Sequence, residues 1–279
     1  MESLSGRVAV VTGGASGIGL ALGRGFAAQG MKVVLGDIEE AALDAAVSGF
    51  AAGSEVTGVA VDVSKAGDVD KLRDAALDAY GAAHVICNNA GVSAGGRTWE
   101  TTLDSWEWVL GVNLMGVVHG IRSFTPLLLE QDEGHIVNTA SMAGLTSPPY
   151  MSIYNVSKHG VVTLSETLFG ELAVEGSQVG VSVLCPGWVN TRIHEADRNR
   201  PGGPLETAPA IEGIDLREAI TNLLASGLDP AHVADKVIDA VQTKRFYVLT
   251  HLEWKPMIAA RMQRIIDEEN PPGAMLPAQ

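Results

Sequence analysis

Val8-Ala-Val-Val-Thr-Gly-Gly-Ala-Ser-Gly-Ile-Gly19 is the stretch whose reading decides how this chain folds. Val8–Val11 is short, apolar and β-branched, which predicts a strand. The glycine-rich turn that follows opens a helix over about 18–29. A strand running through glycines into a helix is half of a β-α-β unit, and working outward the unit recurs. Lys32–Leu35 is followed by a helix over about 39–50, and Val56–Val61 by one near 68–80. His84–Cys87 leads into a long helical region from about 103 to 129. His135–Thr139 precedes a helix that carries Tyr154 and Lys158 and runs to about 175. Val179–Leu184 and Phe246–Leu249 complete the strands.

These strands are almost continuously apolar, as expected where both faces of a sheet are covered. The alternation predicts an α/β fold: one Rossmann-type doubly wound parallel sheet of about seven strands, with helices on both faces. Residues 1–279 read as a single domain. The region 192–229 breaks the rhythm with Pro-Gly-Gly-Pro (201–204) and Pro209, and a short helix follows near 215–226. Long connections of this kind often close over sites, so it is expected to be a substrate lid or insertion. Residues 254–279 read as a C-terminal amphipathic helix and a loose proline-rich tail.

Composition narrows the function. The net charge of −14 argues against nucleic acid and anionic membrane surfaces, which call for clustered Lys and Arg. No run approaches the ~20 apolar residues needed to cross a bilayer, and the N-terminus does not read as a signal peptide. Cys87 and Cys185 lie in apolar strand-like runs, which suggests reduced core residues of a cytoplasmic protein. The seven histidines are scattered without ligand spacing, so no metal is expected.

Gly13, Gly17 and Gly19 follow a G-x₃-G-x-G spacing between the first strand and the first helix. Glycines there allow a tight turn and close backbone approach to a pyrophosphate seated on a helix N-terminus. Asp37 follows Gly19 by 18 residues, a distance at which a carboxylate accepts hydrogen bonds from an adenosine ribose 2′-OH. The same charge repels the 2′-phosphate of NADP, and Ser16 and Ile38 beside it bring no compensating cation. The cofactor expected is NAD. Asp37 also suits the N-cap of the next helix.

Tyr154 and Lys158 are spaced i, i+4, so a helix sets them on one face. A phenol is a poor base near neutrality, since its ordinary pKa is about 10. A neighbouring ammonium favours the phenolate, which makes the pair a candidate general acid/base.

The glycine turn, Asp37 and the Tyr154/Lys158 pair together resemble the short-chain dehydrogenase/reductase family, over essentially residues 5 to 250. Further motifs fall in register. Asp62-Val63 resembles the family's adenine-ring contact. Asn88-Asn89-Ala90-Gly91 matches its Asn-Asn-Ala-Gly signature. Asn113 takes the place of the helix asparagine of the catalytic tetrad, and Ser141 that of the substrate-orienting serine. Pro186-Gly187-Trp-Val189-Asn-Thr191 resembles the segment that walls the nicotinamide. The resemblance implies a catalytic set of Asn113, Ser141, Tyr154 and Lys158. It implies a cofactor set of Gly13, Ser16, Gly17, Ile18, Gly19, Asp37, Asp62, Val63, Asn89, Ala90, Gly91, Tyr154, Lys158, Pro186, Gly187, Val189 and Thr191. Tyr154 would remove the hydroxyl proton while a hydride passes to the nicotinamide, Ser141 would hold the substrate oxygen, and Asn113 would hold a water linking Lys158 to solvent.

The expected function is hydride transfer between NAD and a hydrophobic secondary alcohol or its ketone. Met142, Leu145, Pro149, Tyr150, Trp188 and Trp99, with Ile193, His194 and Leu205 of the lid, suggest an apolar substrate pocket. The tail Phe246–Ile266 faintly resembles members acting on aromatic side-chain alcohols. Alternatives are an NADP-dependent carbonyl reductase of the same fold, a non-catalytic NAD-binding sensor, and a serine hydrolase using Gly91-Val-Ser93-Ala-Gly95. Gly160 and Gly170 in the Tyr154 helix allow close helix approach, and with the family's habit they suggest a homodimer or homotetramer. Asn155-Val-Ser157 matches a glycosylation sequon that is taken as accidental.

Overall fold

A computed structural model of the chain describes residues 1, 3–203 and 216–272. In chain order the first half is β1 (Val8–Thr12), α1 (Gly17–Ala28), β2 (Lys32–Asp37), α2 (Glu40–Ser48), β3 (Val56–Ala60), α3 (Ala66–Tyr80) and β4 (Val85–Asn88). After α4 (Leu103–Leu110) a π-helical turn, Gly111–Met115, leads directly into α5 (Gly116–Gln131). The second half is β5 (His135–Thr139), α6 (Ser152–Val174), β6 (Gly180–Cys185), α7 (Leu216–Ala225), α8 (Pro230–Thr243), β7 (Tyr247–Leu249) and α9 (Lys255–Ile266).

The sheet order is β3-β2-β1-β4-β5-β6-β7, and every pairing is parallel. Because successive side chains of a strand point to opposite faces, β1 feeds two cores at once. Ala9 and Val11 pack with Leu22, Phe26 and Val237 on the α1/α8 side. Val8 and Val10 pack with Leu72, Phe124 and Ile136 on the α3/α5 side. Two-sided burial is why these strands read as unbroken apolar runs. The chain reverses its direction across the sheet between β1 and β4, which opens a crevice beyond the carboxyl ends of the strands.

Three features add detail to the sequence reading. The region 103–129 is not one regular helix. An 18-residue stretch within Leu103–Gln131 has a mean hydropathy of 1.2 and would suit a membrane-crossing helix by composition, yet the region is interrupted by the π turn and holds Asn113 fully buried. The sequence reading assigns no helix to residues 230–243, where α8 lies. Its signal is present: Asp229 caps Ala231 N at 2.8 Å, Pro230 takes the first turn, and Val233, Val237 and Val241 recur at i+4. Within the expected lid, Ile193–Asn199 forms a 3₁₀ segment and α7 occupies the place of the short helix. Pro204, Leu205 and Pro209 fall outside the described residues, as does the end of the tail from residue 273.

Candidate active site

The residues just past each strand end converge on one cleft of about 630 Å³. Gly13 follows β1, Ile38 follows β2, Asp62 lies just beyond β3, Asn89 follows β4, Ser141 lies just beyond β5 and Pro186 follows β6; all line it. Every expected cofactor residue borders this cleft, as do Ser141, Tyr154 and Lys158. Asn113 does not.

The glycine turn requires glycine. Gly13 and Gly17 have φ of +65° and +52°, a region L side chains avoid. A Cβ on Gly19 would lie 2.0 Å from the Gly13 carbonyl oxygen, and one on Gly13 would lie 2.9 Å from Ala90 Cα. Thr12 ties this turn to the next: its Oγ1 accepts from Asn89 N at 2.9 Å and Ala90 N at 3.0 Å. Ser16 caps α1 by position only, with no side-chain bond to the helix and no acidic residue in the first turn. That leaves the N-terminal amides and the positive end of the helix dipole free for an anion.

Asp37 does not cap α2. Its Oδ2 accepts from Ala15 N at 2.9 Å and its Oδ1 from Glu39 N at 3.0 Å. A carboxylate has about four lone-pair sites, so the two left over suit a pair of sugar hydroxyls. The residues present therefore fit a dinucleotide: a cradle without Cβ atoms, an open helix N-terminus and a pre-positioned acceptor. Asp62 is committed differently. Ser64 N and Oγ both donate to Oδ1, at 3.0 and 2.6 Å, and Lys65 pairs with Oδ2 at 3.2 Å. Burial pushes this carboxyl up, but the bonds from Ser64 and Lys65 outweigh it and hold it below its ordinary value.

At the other end, α6 presents Tyr154 and Lys158, 9% and 2% exposed. A buried polar chain registers this helix on the sheet. Asn88 Nδ2 donates to Asn138 Oδ1 at 2.8 Å, Asn138 Nδ2 to Ser165 Oγ at 3.0 Å, and Ser165 Oγ to Val161 O at 2.7 Å. Neither Asn138 nor Ser165 is among the expected site residues; for Asn138 the available signal is a polar residue inside an apolar strand. Lys158 Nζ donates to the Thr139 carbonyl at 2.9 Å and lies 5.6 Å from the Tyr154 ring centre. Burial pulls its ammonium down to about 8.

The expectation that Lys158 lowers the Tyr154 pKa is corrected. Burial pushes the phenol above its ordinary value, and the nearby Ser141 hydroxyl acts in the opposite sense. The lysine is itself desolvated and directs its ammonium at a backbone carbonyl. Ser141 Oγ donates to Pro186 O at 3.3 Å and accepts from Ala143 N at 3.1 Å, so it joins the β5 loop to the Pro186-Gly187 wall.

Asn113 is a positioning residue. Its Oδ1 accepts from Val92 N at 2.8 Å, and Nδ2 donates to Val92 O at 2.9 Å and Ser157 Oγ at 3.1 Å. Ser157 Oγ in turn donates to the Tyr154 carbonyl at 2.7 Å. The side chain thus locks the Gly91-Val92 loop to α6.

Of the expected substrate residues, Met142, Trp188 and Ile193 line the cleft, while Leu145, Pro149, Tyr150, Trp99 and His194 do not. Trp99 is 81% exposed. Trp108, Met151, Trp254 and Met257 line it instead. Sequence spacing hid them because they arrive from α4, the start of α6 and the C-terminal segment. Ser93 lies in an irregular stretch between β4 and α4 without the positive φ of a nucleophile elbow, so the hydrolase alternative loses its geometry.

The family model described as short chain dehydrogenase matches residues 7–201. The chain is a short-chain dehydrogenase/reductase. A solved short-chain dehydrogenase/reductase from Burkholderia phymatum, in complex with NAD, matches with a TM-score of 0.95 and 45% identity, covering 99% of this chain and 100% of that one. The "CLA biosynthesis dehydrogenase/reductase" of Lactiplantibacillus plantarum is 32% identical over 277 residues, 97% of each chain. The 1-deoxy-11-beta-hydroxypentalenate dehydrogenase of Streptomyces avermitilis is 36% identical over 249 residues, 88% of this chain and 84% of that one. In this dehydrogenase/reductase the strand-end loops therefore build the oxidoreductase cleft itself.

Proposed function

We propose that this protein interconverts a hydrophobic secondary alcohol and its ketone with NAD, using Tyr154 as general acid/base. One observation carries the reading: Asp37 at one end of the cleft and Ser141, Tyr154 and Lys158 at the other belong to a single continuous cavity. When bound, the nicotinamide supplies the acceptor for the carbinol hydrogen and its electron pair.

In the reductive direction the Tyr154 phenol, which burial keeps protonated across the neutral range, donates its proton to the carbonyl oxygen. In the oxidative direction the phenolate takes the hydroxyl proton. Lys158, with its pKa near 8, holds or releases a proton close to neutrality and so relays protons to and from the phenol. Ser141, by turning its hydroxyl hydrogen away from Pro186 O, donates to the substrate oxygen and opposes the charge that develops there. Trp108, Met142, Met151, Trp188, Trp254 and Met257 exclude water and favour an apolar substrate. A relative that carries the name of a hydroxypentalenate dehydrogenase supports a hydroxylated carbon skeleton as substrate class, and the NAD complex of the similar Burkholderia phymatum protein supports the cofactor.

The test is nucleotide reduction, followed by absorbance, with a panel of hydrophobic secondary alcohols at alkaline pH. The wild type is expected to reduce NAD, and Tyr154→Phe to lose about 10²- to 10⁴-fold in kcat/KM while keeping its circular dichroism. Full activity in Tyr154→Phe would exclude the mechanism. Because the phenol must lose its proton, kcat/KM for oxidation is expected to rise with pH through and beyond 8, and that for reduction to fall. A cytoplasmic homo-oligomer belongs to the same proposal.

A further inference from the structure

Beside Asp37 the cleft wall holds an ion pair that chain separation conceals. Glu39 lies in the turn from β2 to α2, and Arg198, 159 residues later, in the Ile193–Asn199 segment. Arg198 Nε and Nη2 donate to Glu39 Oε1 at 2.9 and 2.6 Å, and Asn199 Nδ2 donates to the same oxygen at 2.9 Å. Arg198 Nη1 donates to the backbone carbonyls of Glu195 at 2.9 Å and Arg192 at 3.4 Å. The guanidinium is thus held from both sides. The side chains of Arg198 and Glu39 are only 29% and 30% exposed. The Glu39 carboxyl is kept below its ordinary value chiefly by the bond from Arg198, so the pair stays charged near neutrality.

The position of this pair matters for the nucleotide. Asp37, Ile38, Glu39, Arg198 and Asn199 line the same cleft, and Asp37 Oδ1 holds the Glu39 amide. Among the described residues of the wall, the other cations are Lys158, on α6, and Arg192, whose Nε donates to Glu195 Oε2 at 2.7 Å. Arg198 is the cation tied to the turn that carries Asp37. A guanidinium binds phosphate strongly and with two parallel bonds when it is free to do so.

We propose that Glu39 is a second determinant of nucleotide choice, beyond Asp37: it occupies Arg198 and so denies a 2′-phosphate the cation it needs. The inference rests on reading the cleft as a dinucleotide site with Asp37 at the adenosine ribose. Glu39→Gln keeps the shape of the clasp and removes the charge that holds the guanidinium, which leaves Arg198 able to turn to a phosphate.

The experiment is a fluorescence titration of the full chain with NADH and with NADPH, in wild type, Glu39→Gln and Glu39→Gln/Arg198→Met. Glu39→Gln is expected to shift the ratio of the two dissociation constants toward NADPH by about tenfold. Adding Arg198→Met is expected to abolish that shift, and raising the salt concentration to shrink it. A Glu39→Gln variant in which both affinities change by one factor, or a shift that survives Arg198→Met, overturns the proposal while leaving the NAD reading intact. A wild type that binds both nucleotides equally, or neither, refutes that underlying reading and removes the role of Glu39 with it.

Discussion

Lys158 shows how a functional residue works against stability. Its ordinary pKa of 10.5 falls to about 8 in the fold because the ammonium is desolvated, a shift of about 3 kcal/mol. The sign is that of a depressed base. Between about 8 and 10.5 the unfolded chain binds the proton that the folded chain has released, so stability rises with pH across that window. Below about 8 that contribution is lost, because the buried site must then hold a charge. Lys158→Met is therefore expected to be inactive yet more stable than the wild type at pH 7 by about 1–3 kcal/mol. The unsatisfied Thr139 carbonyl offsets part of the gain. Thermal unfolding of both proteins at pH 7 and 9.5 checks this. A variant that melts lower at pH 7 would mean that the Thr139 bond outweighs desolvation. Tyr154 has the opposite sign: its raised phenol contributes stability below pH 10 that is lost at higher pH.

Two elements carry predictions of their own. In α1 the added Cβ of Gly19→Ala meets the Gly13 carbonyl oxygen at 2.0 Å, and a backbone oxygen cannot turn aside as a side chain does. Nucleotide affinity is expected to fall more than tenfold, with a loss of about 1–3 kcal/mol in stability, both measurable by titration and calorimetry. Wild-type affinity in this variant would mean that the turn is not the pyrophosphate seat. The π turn between α4 and α5 exposes Asn113 to both the Val92 backbone and Ser157. Asn113→Ala leaves two buried main-chain groups of Val92 unpaired, which costs about 2–4 kcal/mol. Because the Gly91-Val92 loop then loosens at the cofactor cleft, KM for the nucleotide is expected to rise along with the drop in melting temperature. A change in stability alone would make the residue merely structural.

The whole molecule leaves apolar surface uncovered on α6, where Phe169 is 47% and Val174 86% exposed. Of the two glycines taken as small contact residues, Gly160 is explained within the subunit, since a Cβ there would meet Leu114 at 3.1 Å. Gly170 faces open space, with nothing within 4 Å of an added Cβ. A homo-oligomer built on this face predicts that Gly170→Arg, harmless to the isolated subunit, lowers the mass measured by light scattering. A wild type that runs as a 29.1 kDa species would rule out the assembly.

The sequence by itself determined the order of the elements and the chemistry at their ends. Strand, turn and helix are written in local periods, and the glycine turn, Asp37 and the Tyr154/Lys158 spacing each span a short stretch of chain. Asp229-Pro230 and the buried Asn138 were legible by the same local rules. Only the tertiary structure decided what those groups do to one another. Crossovers bring Glu39 to Arg198, Asn113 to Val92 and Ser141 to Pro186, and no spacing in the chain encodes those distances. Burial, a property of the closed molecule, turned Lys158 from the expected acidifier of Tyr154 into a desolvated base near pH 8. Spacing sets which side chains share a face; what surrounds them sets their charge and their partners.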